Sequence, residues 1–198
     1  MTDDGLDAAV AARFRAVNGD HPMTAADDAY ASHWYAPLER VAADAGLTGG
    51  ELRRRMLANR LPLPSYIRSD GTQMVGSDLL LLPERAGGFD ELPGWFAAQF
   101  ADPVRAVEEW DAYLSGQYVC LRVVTPENIA RKDELAAGIE RHLAAPRPDR
   151  PAWRAGLHRQ VDALDELEPP FARYDRLRFG GPVSRDRLID AVRAQYPR

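Results

Sequence analysis

The sequence predicts a mainly α-helical protein: an N-terminal winged helix-turn-helix with a small β-hairpin wing, packed on a C-terminal helical lobe. Three observations predict it. Two short helical stretches flank Gly46, and the second opens on a Thr48–Glu51 capping box. An Asp70-Gly71 pair then sits between two β-prone runs, just after the Pro62 and Pro64 break. Beyond residue 91, apolar residues recur at spacings of three and four, the helical period.

The elements follow in order. Residues 1–20 are alanine-rich and acidic and read as a frayed helix or a loose tail. Thr24, with Asp27 three residues on, opens a short helix to about Trp34. Residues 37–45 carry Leu38, Val41, Ala42 and Ala45 on one side, and Gly46 ends that helix. Thr48 caps the next one, which runs to about Asn59. Residues 66–68 and 73–75 pair as a hairpin about Ser69-Asp70-Gly71. Ser77 or Asp78 caps a helix over 79–82, and residues 83–88 end it and divide the lobes. The organisation expected is a tail at 1–20, a winged helix-turn-helix-like domain at 21–88 and a helical domain at 89–198.

In the second lobe, 91–100 is a short helical segment, and Asp102-Pro103 is a cap followed by proline at the first helical position. Val107, Trp110, Leu114, Tyr118 and Leu121 step by three and four, which carries a helix past Ser115-Gly116. The competing reading is a strand over 118–124, bounded by Gly116 and Pro126. Thr125-Pro126-Glu127 opens a helix to Leu143, residues 146–149 link, and Trp153, Leu157, Val161, Leu164 and Leu167 stripe the following helix. That helix stops at Pro169-Pro170. After Gly180-Gly181-Pro182, Ser184 caps a last helix to about Gln195.

Composition narrows the function classes. The chain has 198 residues, 45% hydrophobic and 28% charged, an ordinary globular balance. Its net charge of −5 disfavours a generic nucleic-acid coat, which needs a basic face. No apolar run approaches the ~20 residues of a membrane span, and neither a membrane location nor a standard secretion signal is expected. One cysteine, Cys120, makes no internal disulfide, which suits a reducing cytoplasm. Lys132 is the one lysine beside 24 arginines, a bias of GC-rich coding. A desolvated amine can lose its proton where a guanidinium cannot, so Lys132 is a candidate for chemistry, or a residue left by chance.

Residues 38–79 carry Leu38-x-x-Val41-Ala42-x-x-x-Gly46-Leu47, then Arg60-Leu61-Pro62, a wing from Pro64 to Val75, and Asp78-Leu79. They resemble the DNA-binding domain of the MerR and excisionase type. The pattern departs at Arg55, where such motifs carry an aliphatic residue, and Met56 is expected to take over its packing. The resemblance implies that Arg53, Arg54, Asn59 and Arg60 face a major groove of double-stranded DNA, with Arg68 on the wing touching phosphate. Within 37–75 the balance is only +2, six arginines against Glu39, Asp44, Glu51 and Asp70. The competing reading is a compact module that holds a protein or a small molecule.

A second stretch is longer. It includes Tyr113-Leu114-Ser115-Gly116-x-Tyr118-x-Cys120-Leu121, Thr125-Pro126-Glu127-Asn128-Ile129 and Tyr174-Asp175-Arg176-x-Arg178-Phe179-Gly180-Gly181-Pro182-Val183-Ser184-Arg185-Asp186-Arg187, and it extends from about Pro64 to the C-terminus. It resembles an uncharacterised actinobacterial family labelled natural product biosynthesis protein. The resemblance implies an association with secondary metabolism and brings no catalytic residue.

Read physically, Arg176, Arg178, Arg185 and Arg187 surround the Gly-Gly-Pro turn before a helix N-terminus, a pattern that binds phosphate or carboxylate. The alternative pairs them with Asp175, Asp186 and the acidic face of Asp162, Asp165 and Glu166. The four histidines (21, 33, 142, 158) lack metal-ligand spacing, and neither a metal nor a cofactor is expected. His158 and Asp162 are one helical turn apart and within reach of each other. Cys120 lies in an apolar stripe, where a thiol is inert unless activated. Trp110, Trp153, Phe171 and Phe179 read as core. Three functions result: an accessory binding protein of natural-product biosynthesis holding a partner protein or an anionic small molecule; a DNA-binding regulator; or a small enzyme with its site in the C-terminal lobe.

Overall fold

Thr2 accepts a hydrogen bond from the Gly5 N–H and caps α1 (Asp3–Asn18), in which Leu6, Val10 and Phe14 recur every fourth residue and are buried. Alanine-rich as it is, the stretch docks by that stripe. The computed structural model describes residues 2–198. The chain divides into two compact units, 1–118 and 119–198. Mainly helical, it carries one small antiparallel sheet among the described residues.

In the first unit, α2 (Ala25–Trp34) starts on the full Thr24–Asp27 capping box, with Thr24 Oγ1 donating to Asp27 at 2.6 Å. After β1 (Ala36–Pro37) come α3 (Leu38–Asp44) and α4 (Gly49–Leu57). Gly46 turns between them at φ 69°, and the Leu47 N–H closes on the Ala42 carbonyl at 2.8 Å. The Thr48–Glu51 box opens α4 as its spacing predicts. The hairpin forms from β2 (Tyr66–Ile67) and β3 (Gln73–Val75), pairing Tyr66 with Met74. β1 joins the other edge of β3, with Ala36 opposite Val75. A two-residue Ala-Pro strand has no propensity signal, so this third strand was not legible.

Met56 sits in the core with Leu38, Val41, Leu52 and Val10, while the Arg55 guanidinium lies 4.1 Å from the centre of the Phe89 ring. Pro83 does not end a helix; it lies inside α5 (Leu81–Ala86). It is the third helical residue, where a backbone N–H has no intrahelical partner to lose. α6 (Leu92–Ala97) and α7 (Pro103–Leu114) follow, the latter capped by Asp102 on the Val104 N–H at 2.9 Å.

The helix expected to run past Ser115-Gly116 stops at Leu114, and the competing strand does not form either. Gly116 has φ 73°, and a Cβ there would stand 2.6 Å from the carbonyl oxygens of Leu63 and Pro64. The chain turns into a short 3₁₀ segment (Tyr118–Cys120). Val107, part of the supposed stripe, is 61% exposed, so the periodicity did not mark one buried face.

In the second unit, Thr125 caps α8 (Pro126–Ala144), and α9 (Pro151–Leu167) packs against it. α10 (Arg173–Arg178) was not anticipated. Then a π-helical turn (Asp186–Asp190) leads into α11 (Ala191–Gln195). Ser184 does not cap this helix. Its hydroxyl is committed to Glu168, and Asp186, inside the first turn, reaches back to accept the Val183 N–H at 3.1 Å. Leu135, Ile139, Leu157, Val161, Leu164 and Ile189 form the core between these helices.

Candidate functional site

Of the groove-reading residues proposed from the helix-turn-helix, Arg53 is built into the fold. Arg53 is only 7% exposed: its guanidinium lies 2.6 Å from Glu39 and 3.2 Å from Asp7, and its Nε donates to Gln73 Oε1 at 3.1 Å. It ties α1, α3, α4 and β3 together, and its assignment to a DNA surface is corrected. The cause is α1, which lies along α4: Val10 enters the core with Leu52 and Met56, and Arg13 donates to the Leu57 carbonyl at 3.1 Å. Asn59, at φ 58°, accepts from Arg13, and Arg60 lies 3.5 Å from Asp90. Arg68 pairs with Asp70 at 3.3 Å, and the wing tip is tied to α2 by the Ser69 N–H on Asp28 at 3.0 Å. Arg54 alone of these arginines is exposed and without an ion pair among the described residues.

The C-terminal arginines are likewise paired. Arg176 forks onto Asp186, with Nε at 2.9 Å. Arg178 meets Asp175 at 2.7 Å with both side chains buried, and Arg185 meets Asp165 at 2.5 Å. Arg193 bridges Asp162 and Asp165 at 2.9 and 2.8 Å. The anion site expected around the Gly-Gly-Pro turn is therefore not assembled; of its four arginines, Arg187 alone stays exposed and unpaired among the described residues. The hydrogen bond from Arg176 holds the Asp186 carboxyl below its ordinary range. Burial opposes ionisation of Asp165, yet its bonds to Arg193 and Arg185 outweigh burial and lower its pKa too.

Two of the reactive candidates do come together. Lys132 Nζ lies 3.1 Å from Glu168 Oε1, and the buried Cys120 thiol is close enough to the same ammonium to feel its charge. Ser184 Oγ donates to Glu168 Oε1 at 2.6 Å, and Glu168 is fully buried. Burial raises the Cys120 pKa beyond what Lys132 can offset. For Lys132, burial works downward, but Cys120 and Glu168 outweigh it and raise the pKa. At neutral pH the pair is thus a thiol and an ammonium, neither of which is a nucleophile. Glu168 was missed because it precedes Pro169-Pro170 and read only as a helix end.

His158 does not pair with Asp162, whose oxygens are taken by Arg193 and Arg198. It is 7% exposed, forms part of the wall of a cavity of about 440 Å³ with Arg154, Pro151 and Pro148, and neither ring nitrogen has a hydrogen-bond partner. Phe179, expected in the core, is 40% exposed beneath the Arg178 guanidinium.

A second concavity in this unit is different in charge. A cleft of about 330 Å³ opens between α8 and α9, lined by Gly138, Arg141, His142, Arg147, Trp153 and Gln160. Arg141 and Arg147 are exposed, and neither makes an ion pair with any described residue. No carboxylate among the described residues lines it. His142 Nδ1 is 3.1 Å from the Gly138 carbonyl, and the Trp153 ring stands edge-to-face with Tyr196 at 5.2 Å. Trp153 is therefore a wall of this cleft rather than pure core. Its signal in the sequence was slight: Arg141 and Arg147 are two arginines among many, separated by the linker.

These features define a mainly α-helical protein with a basic, aromatic-walled cleft between two packed helices. Residues 94–197, more than half of the chain, match the model of a family of unknown function (DUF6058), and the chain belongs to that family. The cleft lies within the matched region. No curated protein and no solved structure matches the chain. Among the described residues, no helix is long and apolar enough to cross a membrane.

Proposed function

We propose that this protein is an accessory binding protein of natural-product biosynthesis, and that it holds an anionic small molecule in the α8–α9 cleft. One observation carries the reading: in a chain of net charge −5, Arg141 and Arg147 line one acid-free cleft with their charges unmatched. Elsewhere in the same unit, Arg176, Arg178, Arg185 and Arg193 each meet a carboxylate. Guanidinium forks match carboxylate and phosphate geometry, and Trp153 offers the apolar face that a small organic acid needs. The volume of about 330 Å³ lies at the small end of the range for ligand sites. The link to natural-product biosynthesis is supported by the resemblance of residues 113–129 and 174–187.

Calorimetric titration with benzoate and with inorganic phosphate at low salt tests it. Saturable one-site binding of at least one probe is expected. It weakens about tenfold or more in the Arg141→Ala/Arg147→Ala double variant, at unchanged melting temperature, because each charged hydrogen bond contributes roughly 1.5–3 kcal/mol. No saturable binding of either probe, or equal binding by the double variant, overturns the reading.

A further inference from the structure

Resting on the anion-binding reading of this cleft, the geometry points to a narrower ligand class: a planar organic acid that carries a hydroxyl or N–H donor, with His142 as the residue that selects it. The Gly138 carbonyl can only accept a hydrogen bond, so His142 Nδ1, at 3.1 Å from it, carries the proton. In the neutral ring, Nε2 is then a bare acceptor. That nitrogen is seated over α9, since a Cβ on Gly156 would stand 3.1 Å from it. Gln160 also lines the cleft, but its Oε1 is closed to solvent, tucked where a Cβ on Gly138 would stand 2.6 Å away, which leaves His142 Nε2 as the acceptor for a ligand.

The cleft therefore joins two kinds of demand. Arg141 and Arg147 call for an anion, whereas His142 Nε2 calls for a donor. An acid with no donor meets the first demand and leaves the second unmet, and a site built around a hydroxyl discriminates sharply against the analogue lacking it. Trp153, held edge-to-face by Tyr196 at 5.2 Å, supplies a flat wall and favours a planar body.

The test compares benzoate, its three monohydroxy isomers and the corresponding methoxybenzoates by calorimetry at pH 8, on the wild type and on His142→Phe. Phe keeps a ring of similar volume and removes the acceptor. At least one hydroxy isomer is expected to bind about tenfold tighter than both benzoate and its own methoxy ether. His142→Phe should level that preference while still binding benzoate. Equal affinities across the series in the wild type overturn the ligand class and leave the anion site standing. A preference undiminished in His142→Phe overturns the role of His142, and no binding of any acid overturns the anion site itself. Should His142→Phe fail to fold, Gly156→Ala, which displaces the imidazole, is expected to level the same preference.

Discussion

Lys132→Met is the substitution whose cost is most directly set by the structure. Glu168 is fully buried and its carboxylate rests on two groups, the Lys132 ammonium at 3.1 Å and the Ser184 hydroxyl at 2.6 Å. Its other oxygen, Oε2, has no hydrogen-bond partner. Methionine fills the space of the lysine stem but leaves a buried carboxylate with one neutral donor. Removing one partner of a buried pair costs about 3–5 kcal/mol, since the remaining charge is uncompensated. The reverse change is milder: the Lys132 side chain is 16% exposed against 0% for Glu168, so in Glu168→Gln the ammonium can still reach water.

The double variant Lys132→Met/Glu168→Gln carries no stranded charge and should recover to within about 1 kcal/mol of wild type. Calorimetric unfolding of the full chain, resolving its two units, gives the three values. A Lys132→Met cost below about 1 kcal/mol, or a double variant as poor as the sum of the singles, refutes the reasoning. The pH dependence follows from the sign of the shift. The folded Lys132 pKa lies above its ordinary 10.5, so its contribution is whole below that value and is lost as pH rises through the folded pKa. The gap between wild type and Lys132→Met should be flat from neutral pH upward and close only above about 10.5.

Three further outcomes are expected. His158→Phe should raise the melting temperature, equivalent to about 1 kcal/mol, because it removes two buried nitrogens that have no partner; a clear fall would mean that a ligand or water satisfies them. Arg53→Met should cost roughly 1–3 kcal/mol in urea unfolding, less than a fully buried pair, because Asp7 and Glu39 are half-exposed and rehydrate. Arg193→Ala should be destabilising at neutral pH, with the difference fading in acid. The lowered Asp165 pKa gives stability that is present above the ordinary 3.8 and is lost as pH falls through the folded value. A difference that persists unchanged at pH 2 would assign the effect of Arg193 to packing.

What could be read from the sequence was local. The Thr24–Asp27 and Thr48–Glu51 boxes, the Asp102-Pro103 start and the Asp70-Gly71 hairpin each depend on residues a few positions apart, and each forms. What was missed depends on distant partners. Arg53 resembled a groove-reading side chain because nothing near it in sequence announces Asp7, and no composition signal says that α1 will lie along α4. Pro83 looked like a helix end because proline breaks interiors, whereas its tolerance in a first turn depends on where the helix begins. For the candidate site, Lys132 and Cys120 were singled out by rarity, and their meeting came with Glu168, which rarity could not reveal.

Arginine abundance illustrates why function needs the partners as well as the residues. With 24 arginines, a basic motif can be found almost anywhere in this chain, and the four around the Gly-Gly-Pro turn made the more conspicuous cluster. A guanidinium already bonded to a carboxylate has little left for a ligand, because displacing the carboxylate strands it. Arg178, buried with Asp175, is the limiting case: an incoming anion would have to replace a bond of 2.7 Å inside a closed environment. Arg141 and Arg147 carry no such debt, and His142, which lines the same cleft, is held through Nδ1 alone and keeps Nε2 as an acceptor. An anion entering there displaces water rather than a carboxylate. The plain pair of arginines, split by a linker, is for that reason the better site.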